Sequence, residues 1–129
     1  MHSKSILVLD DESDIVFTLK RSLEVSGFPV FGFTDPVLAL EHFTSNASRY
    51  ALVLTDIRMP IMNGLEFAAK VRKLNRRVKI FLMSAFDMKD LAIEPSLEIS
   101  ALLQKPLSTL QLNEIVSKHL DGRTSDALT

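Results

Sequence analysis

The sequence contains no cysteine. That excludes disulfides, thiolate metal sites and cysteine nucleophiles together, and it fits a reducing cytoplasm. It also lacks a long apolar run: the first one, 6–9, is closed by Asp10, too short for a signal-peptide core or a membrane span. There is no internal repeat and no low-complexity tract. Charge of one sign is missing too, since 15 Lys and Arg face 16 Asp and Glu for a formal net charge of −1. No overall field therefore recruits nucleic acid or an anionic membrane. What remains is an ordinary folding composition, 47% hydrophobic and 24% charged over 129 residues, enough for one compact domain. Residues 1–120 are expected to form it. Residues 121–129 lose apolar periodicity and read as a polar tail or the start of a linker.

Five short apolar runs recur at 5–9, 30–33, 51–55, 78–83 and 101–104. The first, third and fourth are nearly continuous in Ile, Leu, Val and Phe, as strands are when both faces are covered in a parallel sheet. Helical patterns fill the gaps. Ile15, Leu19 and Leu23 share one face, with Gly27 as a stop. Asp35-Pro36 reads as an N-cap followed by proline at the first helical position, with Val37, Leu40 and Phe43 as the buried stripe. Asn63 with Glu66, and Ser108 with Gln111, carry the capping-box spacing. The stretch between Ser84 and Lys105 is less regular: 87–93 has helical character, but Pro95 opposes a long helix. The fold class expected is α/β, a doubly wound five-stranded parallel sheet of flavodoxin-like order 2-1-3-4-5, (βα)5 in plan.

That topology gathers residues far apart in sequence. Asp10 and Asp11 follow the first strand, Asp56 the third, Ser84 the fourth and Lys105 the fifth. In a parallel sheet all these strand ends lie on one edge, where open α/β sheets bind ligands. Clustered carboxylates repel by roughly 4 kcal/mol per pair at ~4 Å and intermediate dielectric, and a divalent cation relieves this. Oxygen donors without His or Cys favour Mg2+. A carboxylate can act as nucleophile and form an aspartyl phosphate, Lys105 can clamp the phosphoryl oxygens, and Ser84 can donate a hydrogen bond to them. The plainer readings are that Asp10, Asp11 and Glu12 cap the first helix and that Ser84 begins a turn.

The runs ILVLDDE at 6–12 and LTDIRMPIMNG at 54–64, together with Met83-Ser84-Ala85 and Lys105-Pro106, closely resemble the motifs of response-regulator receiver domains of two-component signalling, the chemotaxis regulators among them. The resemblance implies that Asp56 takes a phosphoryl group from a histidine kinase or histidine phosphotransfer protein and switches binding of a downstream protein target. It implies that Asp11 binds Mg2+ directly, that Asp10 supports it through water, and that the Arg58 carbonyl is a further ligand beside Asp56. It assigns Lys105 to the acceptor and then the phosphate, Ser84 to the moving hydroxyl, Ala85 to room for phosphate entry, and Pro106 to a cis peptide bond. It further implies that Arg58 and Phe86 occupy positions that flank the attacking water and tune phosphate lifetime. The domain itself is expected to bind neither nucleic acid nor membrane, to be a monomer or a phosphorylation-dependent dimer, and to work in the cytoplasm.

Three departures from the family pattern fall in one region. Leu102 stands at the switch position where Tyr or Phe is usual, Glu98-Ile99 replaces a Gly-Ala pair, and Pro95 interrupts the fourth helix. The relay from phosphate to partner is thus less well matched than the chemistry. A phosphohydrolase is disfavoured because Arg58 stands where such enzymes place a second acid. A phosphate-independent pseudo-receiver stays open through the altered relay. Arg72, Lys73, Arg76 and Arg77 read as a solvated helix end, or else as a docking patch for an acidic partner. His2, His42 and His119 lack metal-ligand spacing.

Overall fold

The computed structural model describes residues 4–120; His2 and the tail at 121–129 lie outside them. Five strands form one parallel sheet: β1 (Ser5–Leu9), β2 (Val30–Phe33), β3 (Tyr50–Asp56), β4 (Lys79–Ser84) and β5 (Ala101–Gln104), in the order β2-β1-β3-β4-β5. Four α-helices accompany them among the described residues: α1 (Ser13–Val25), α2 (Pro36–Asn46), α3 (Gly64–Leu74) and α4 (Thr109–Leu120). Strand order and fold class are as the sequence implied.

Alternation along the strands splits the core into two layers. Ile6 and Val8, Leu52 and Leu54, and Phe81 and Met83 pack with Leu19 and Leu23 of α1 and Leu112 and Val116 of α4. Leu7 and Leu9, Val53, and Ile80 and Leu82 pack with Phe43 of α2 and Phe67 and Val71 of α3. Covering both faces is what makes β1 buried at every residue.

Local signals set the helix ends. Gly27 adopts φ 98° and, with Ser26, closes α1 through N–H donations to Glu24 and Leu23 carbonyls. The Asp35 side chain accepts from the Val37 amide, with Pro36 at the first helical position. Asn63 and Glu66 form a reciprocal capping box. Ser108 Oγ accepts from the Gln111 amide at 3.3 Å. The stripe of α2 differs from expectation: Pro36, Ala39 and Phe43 are buried, Leu40 is half-buried and Val37 is exposed. Ala39 packs in one cluster with Phe67, Ala68 and Val71 of α3 and so takes the buried position.

The crossover from β4 to β5 contains no α-helix. Residues 87–93 form turns and irregular backbone, followed by a 3-10 turn at Pro95–Leu97. Glu98 then adopts φ 50°, ψ 55°, the left-handed region that glycine occupies without cost. This is one of the two positions of the replaced Gly-Ala pair.

Arg72 corrects the reading of the basic run. It is buried, and its guanidinium donates to the carbonyls of Leu97 (2.9 Å), Val78 (2.6 Å), Asn75 (3.3 Å) and Glu98 (3.3 Å). It is neither solvated nor available for docking. His42 is likewise interior in function: its Nε2 pairs with the Tyr50 hydroxyl at 2.5 Å, and its ring lies 5.2 Å from both Phe31 and Phe33.

Candidate functional site

β3 and β4 run one residue further than their apolar patterns, so Asp56 and Ser84 end their strands rather than follow them. Asp10 follows β1 and Lys105 follows β5. All four meet at the C-terminal edge. Asp10 and Ser84 are fully buried and Asp56 nearly so, while Asp11 is exposed. One carboxylate oxygen from each of Asp10, Asp11 and Asp56 lies within 4.8 Å of the others.

The acids are held by backbone. The Asp10 amide donates to Phe33 O at 3.2 Å, and Asp10 Oδ1 accepts from the Glu12 amide at 2.9 Å. Glu12 stands at the N-cap of α1, but its side chain makes no capping hydrogen bond. The loop after the acceptor is tied at both ends, with the Ile57 amide donating to Met83 O and the Gly64 amide to Ile57 O.

Lys105 enters from the far strand. Its amide donates to Ser84 O at 2.8 Å, and the bond to Pro106 is cis, as expected. Its Nζ sits 2.7 Å from Asp10 Oδ2 and 3.3 Å from Asp56 Oδ2, with Glu12 Oε1 at 3.9 Å. Burial alone would depress the lysine pKa, but Asp10 and then Asp56 overcome this and hold it above the usual value. The Asp56 pKa is raised, first by burial and then by the charge of Asp10, with Asp11 adding to it against the opposing pull of Lys105. One ammonium does not neutralise this site.

Mg2+ fits that deficit. The donors are all carboxylate oxygens, as a hard cation requires. Asp10 Oδ2, though within ion-pair distance of Lys105, is buried without a directed hydrogen bond, a costly arrangement unless another positive partner faces it. Asp10, Asp11 and Asp56 are the side chains that would hold the ion.

The remaining predicted residues are near but differently engaged. Ser84 Oγ accepts from the Phe86 amide at 3.0 Å; that leaves its proton to donate, and it makes no hydrogen bond to Asp56. Ala85 lies between them in the chain, and its carbonyl accepts from Gln104 Nε2 at 2.9 Å. The Arg58 guanidinium lies over the Phe86 ring, 4.3 Å from its centroid, so the two flanking positions meet as a cation–π pair. Leu102 sits on β5 opposite Leu82, on the exposed side of the strand with Gln104.

Gly64 was missed from the sequence. A Cβ there would lie 2.2 Å from Asp56 O and 2.9 Å from Ile57 Cα, both backbone atoms that cannot swing aside. The signal was a glycine in the first turn of a helix, where no unusual φ requires it. Gly64→Ala is expected to cost about 2–3 kcal/mol by urea unfolding and to displace the acceptor strand end.

These features match known proteins. The family model described as the response regulator receiver domain matches residues 6–117. The chain belongs to this family. The receiver domain is similar over most of its length to sporulation initiation phosphotransferase F of Bacillus subtilis, 28% identical across 93% of this chain and 96% of that protein. It is 35% identical over 83 residues to the transcriptional regulatory protein PrrA of Mycobacterium tuberculosis, covering 64% of this chain and 35% of PrrA; the match thus spans about a third of that relative's length. The structure of the response regulator TrrA from Thermotoga maritima in complex with Mg2+–BeF superimposes with a TM-score of 0.77 at 34% identity, covering 91% of this chain and 99% of that one. A receiver domain of this family is a phospho-accepting switch whose chemistry is confined to its own aspartate.

The raised pKa of Asp56 has a consequence for stability. The folded carboxyl holds its proton more tightly than the unfolded one. Its contribution is therefore full below about 3.8 and lost as pH rises through the folded value. Above the folded value, where the carboxyl is ionised, the side chain destabilises the fold. Asp56→Asn is expected to raise the unfolding free energy at pH 7 by about 1 kcal/mol. The gain should vanish on acidification toward pH 4 and shrink when Mg2+ saturates the wild type, both readable from urea midpoints.

Proposed function

We propose that Asp56 is the phosphoacceptor and that its donor is a phosphohistidine on a kinase or phosphotransfer protein. An Asp56 oxygen attacks phosphorus, the P–N bond to the imidazole breaks, and an acyl phosphate forms at Asp56. The observation that carries this reading is the Lys105 ammonium held between Asp10 and Asp56 at the sheet edge. There it can follow negative charge from the acceptor to the phosphoryl oxygens. When bound, Mg2+ supplies the remaining positive charge against the carboxylates and the phosphoryl group. Asp10, Asp11, Asp56 and the Arg58 carbonyl are the ligands we assign to it.

Ser84 then donates its free hydroxyl proton to the phosphoryl group, and the small Ala85 leaves the entry open. Arg58 and Phe86, stacked beside the acceptor loop, limit how water reaches the phosphate and so set its lifetime. The output is a change in binding to a protein target. Leu102 cannot offer the ring or hydroxyl of the usual switch residue, so its coupling to Ser84 is weakened. Phosphorylation is expected to shift backbone NMR signals near residues 56, 84 and 85 with only small changes around 95–102. A full shift of that second region would contradict the weakened relay.

The test of the chemistry is intact mass after incubation with Mg2+ and acetyl phosphate. One acid-stable, base-labile phosphoryl adduct is expected, absent in Asp56→Asn and in the presence of chelator. No adduct on wild type would favour a phosphate-independent binding domain. Turnover of unrelated phosphate esters would favour an enzyme.

A further inference from the structure

The basic run leaves a remainder once Arg72 is assigned to the interior. Arg76 and Arg77 lie in the turn before β4, and they line an open groove of about 850 Å³ with Lys79 at the start of β4 and Lys4 just before β1. Among the described residues no Asp or Glu lines it, and none pairs with these four cations. In a chain of net charge −1 this is a local concentration of one sign. Its floor is fixed: the Asn75 side chain accepts from the Arg77 and Val78 amides and donates to Ala47 O. Exposed hydroxyls of Ser45 and Ser48 add hydrogen-bonding capacity along one wall.

We infer that this groove binds an acidic peptide segment of a partner protein. The cations come from two chain segments, Lys4 before β1 and Arg76, Arg77 and Lys79 at the entry to β4, and all are exposed, which suits successive carboxylates along an extended chain better than one compact anion. Nucleic acid fits less well. Of the two rings lining the groove, Tyr50 is buried and the half-buried His119 packs against Phe81 with ring centroids 5.0 Å apart, so neither is a free stacking platform, and the rest of the surface has no positive excess. The groove lies at the N-terminal ends of the strands, while the acceptor site lies at the C-terminal ends. Lys79 and Ser84 bound the six residues of β4, which puts them roughly 17 Å apart at the usual rise per residue. Docking here is independent of phosphorylation, so a partner can stay attached while the other edge switches.

The experiment is fluorescence anisotropy with a short labelled oligoglutamate peptide at low ionic strength, using the whole chain. Saturable binding that weakens with salt is expected, and Arg76→Ala/Arg77→Ala/Lys79→Ala should weaken it at least about tenfold, ~1.4 kcal/mol. The three side chains are exposed, so the melting curve should be unchanged. Asp56→Asn should bind the peptide as wild type does. The inference is overturned by absent binding, by a triple variant that binds equally, or by loss of binding in Asp56→Asn. Displacement by equimolar inorganic phosphate, or tighter binding of a labelled oligothymidine, would overturn it in favour of a small anion or a nucleic acid.

Discussion

Lys105→Met is expected to lose about 3–4 kcal/mol of stability at pH 7 and to slow phosphorylation by acetyl phosphate on the order of a hundredfold. The stability loss follows from burial. The ammonium is 11% exposed and faces side chains of Asp10 and Asp56 that are 0% and 7% exposed. Removing one partner of such a set leaves uncompensated charge inside the protein, which costs roughly 3–5 kcal/mol. The rate loss follows from position, since the same ammonium is the fixed cation nearest the developing phosphoryl charge. The pH dependence separates the two effects. In the wild type the lysine pKa is raised, so its contribution is full below the ordinary 10.5 and is lost only as pH rises through the higher folded value. In Lys105→Met the deficit instead arises from ionised carboxylates and should shrink as pH falls and they protonate. Mg2+ should raise the melting temperature of the variant more than that of the wild type, because a ligand that binds only the folded state stabilises it. Circular dichroism melts with and without Mg2+ provide the check.

Arg72→Ala is expected to destabilise the domain by about 3 kcal/mol and to loosen the crossover between β4 and β5. Four carbonyls depend on this guanidinium, two of them at Leu97 and Glu98. Each buried acceptor left without a donor costs about 1–3 kcal/mol, partly recovered where water enters. Glu98 adds to the effect, because its left-handed backbone costs roughly 1 kcal/mol for a residue with a Cβ and the Arg72 contact helps hold it there. Glu98→Gly should therefore restore part of the stability lost in Arg72→Ala. Hydrogen exchange should show faster opening at residues 97–101, with β1 and β3 changed less.

The acceptor site was legible because the polar residues sit directly beyond apolar runs. Once those runs are strands of a parallel sheet, their C-terminal ends coincide, and Asp10, Asp56, Ser84 and Lys105 must meet. Element order together with the strand order 2-1-3-4-5 brings them to one edge. Arg72 was illegible for the opposite reason. It resembles Lys73 and Arg76 in type, and two of the four carbonyls it meets, those of Leu97 and Glu98, lie 25 and 26 residues away in a crossover that holds only a 3-10 turn. Only the folded crossover shows where they are. Val37 and Ala39 illustrate a milder version, since the packing of α2 against α3 decides which of two nearby apolar residues is buried. The irregular stretch after β4 was foreshadowed by Pro95, whereas the left-handed backbone of Glu98 was signalled only by its standing at the family's Gly-Ala pair, because glutamate rarely adopts that backbone.

The measurement that bears most directly on the central claim is reductive trapping of the phosphorylated protein. Borohydride cleaves an aspartyl phosphate to homoserine, which marks the acceptor by a mass change in one proteolytic peptide. After treatment with acetyl phosphate and Mg2+, homoserine is expected at position 56 and nowhere else, with Asp10 and Asp11 intact. Conversion at Asp10 or Asp11, or an unmodified Asp56 in a protein that carries the phosphoryl adduct, would contradict the account.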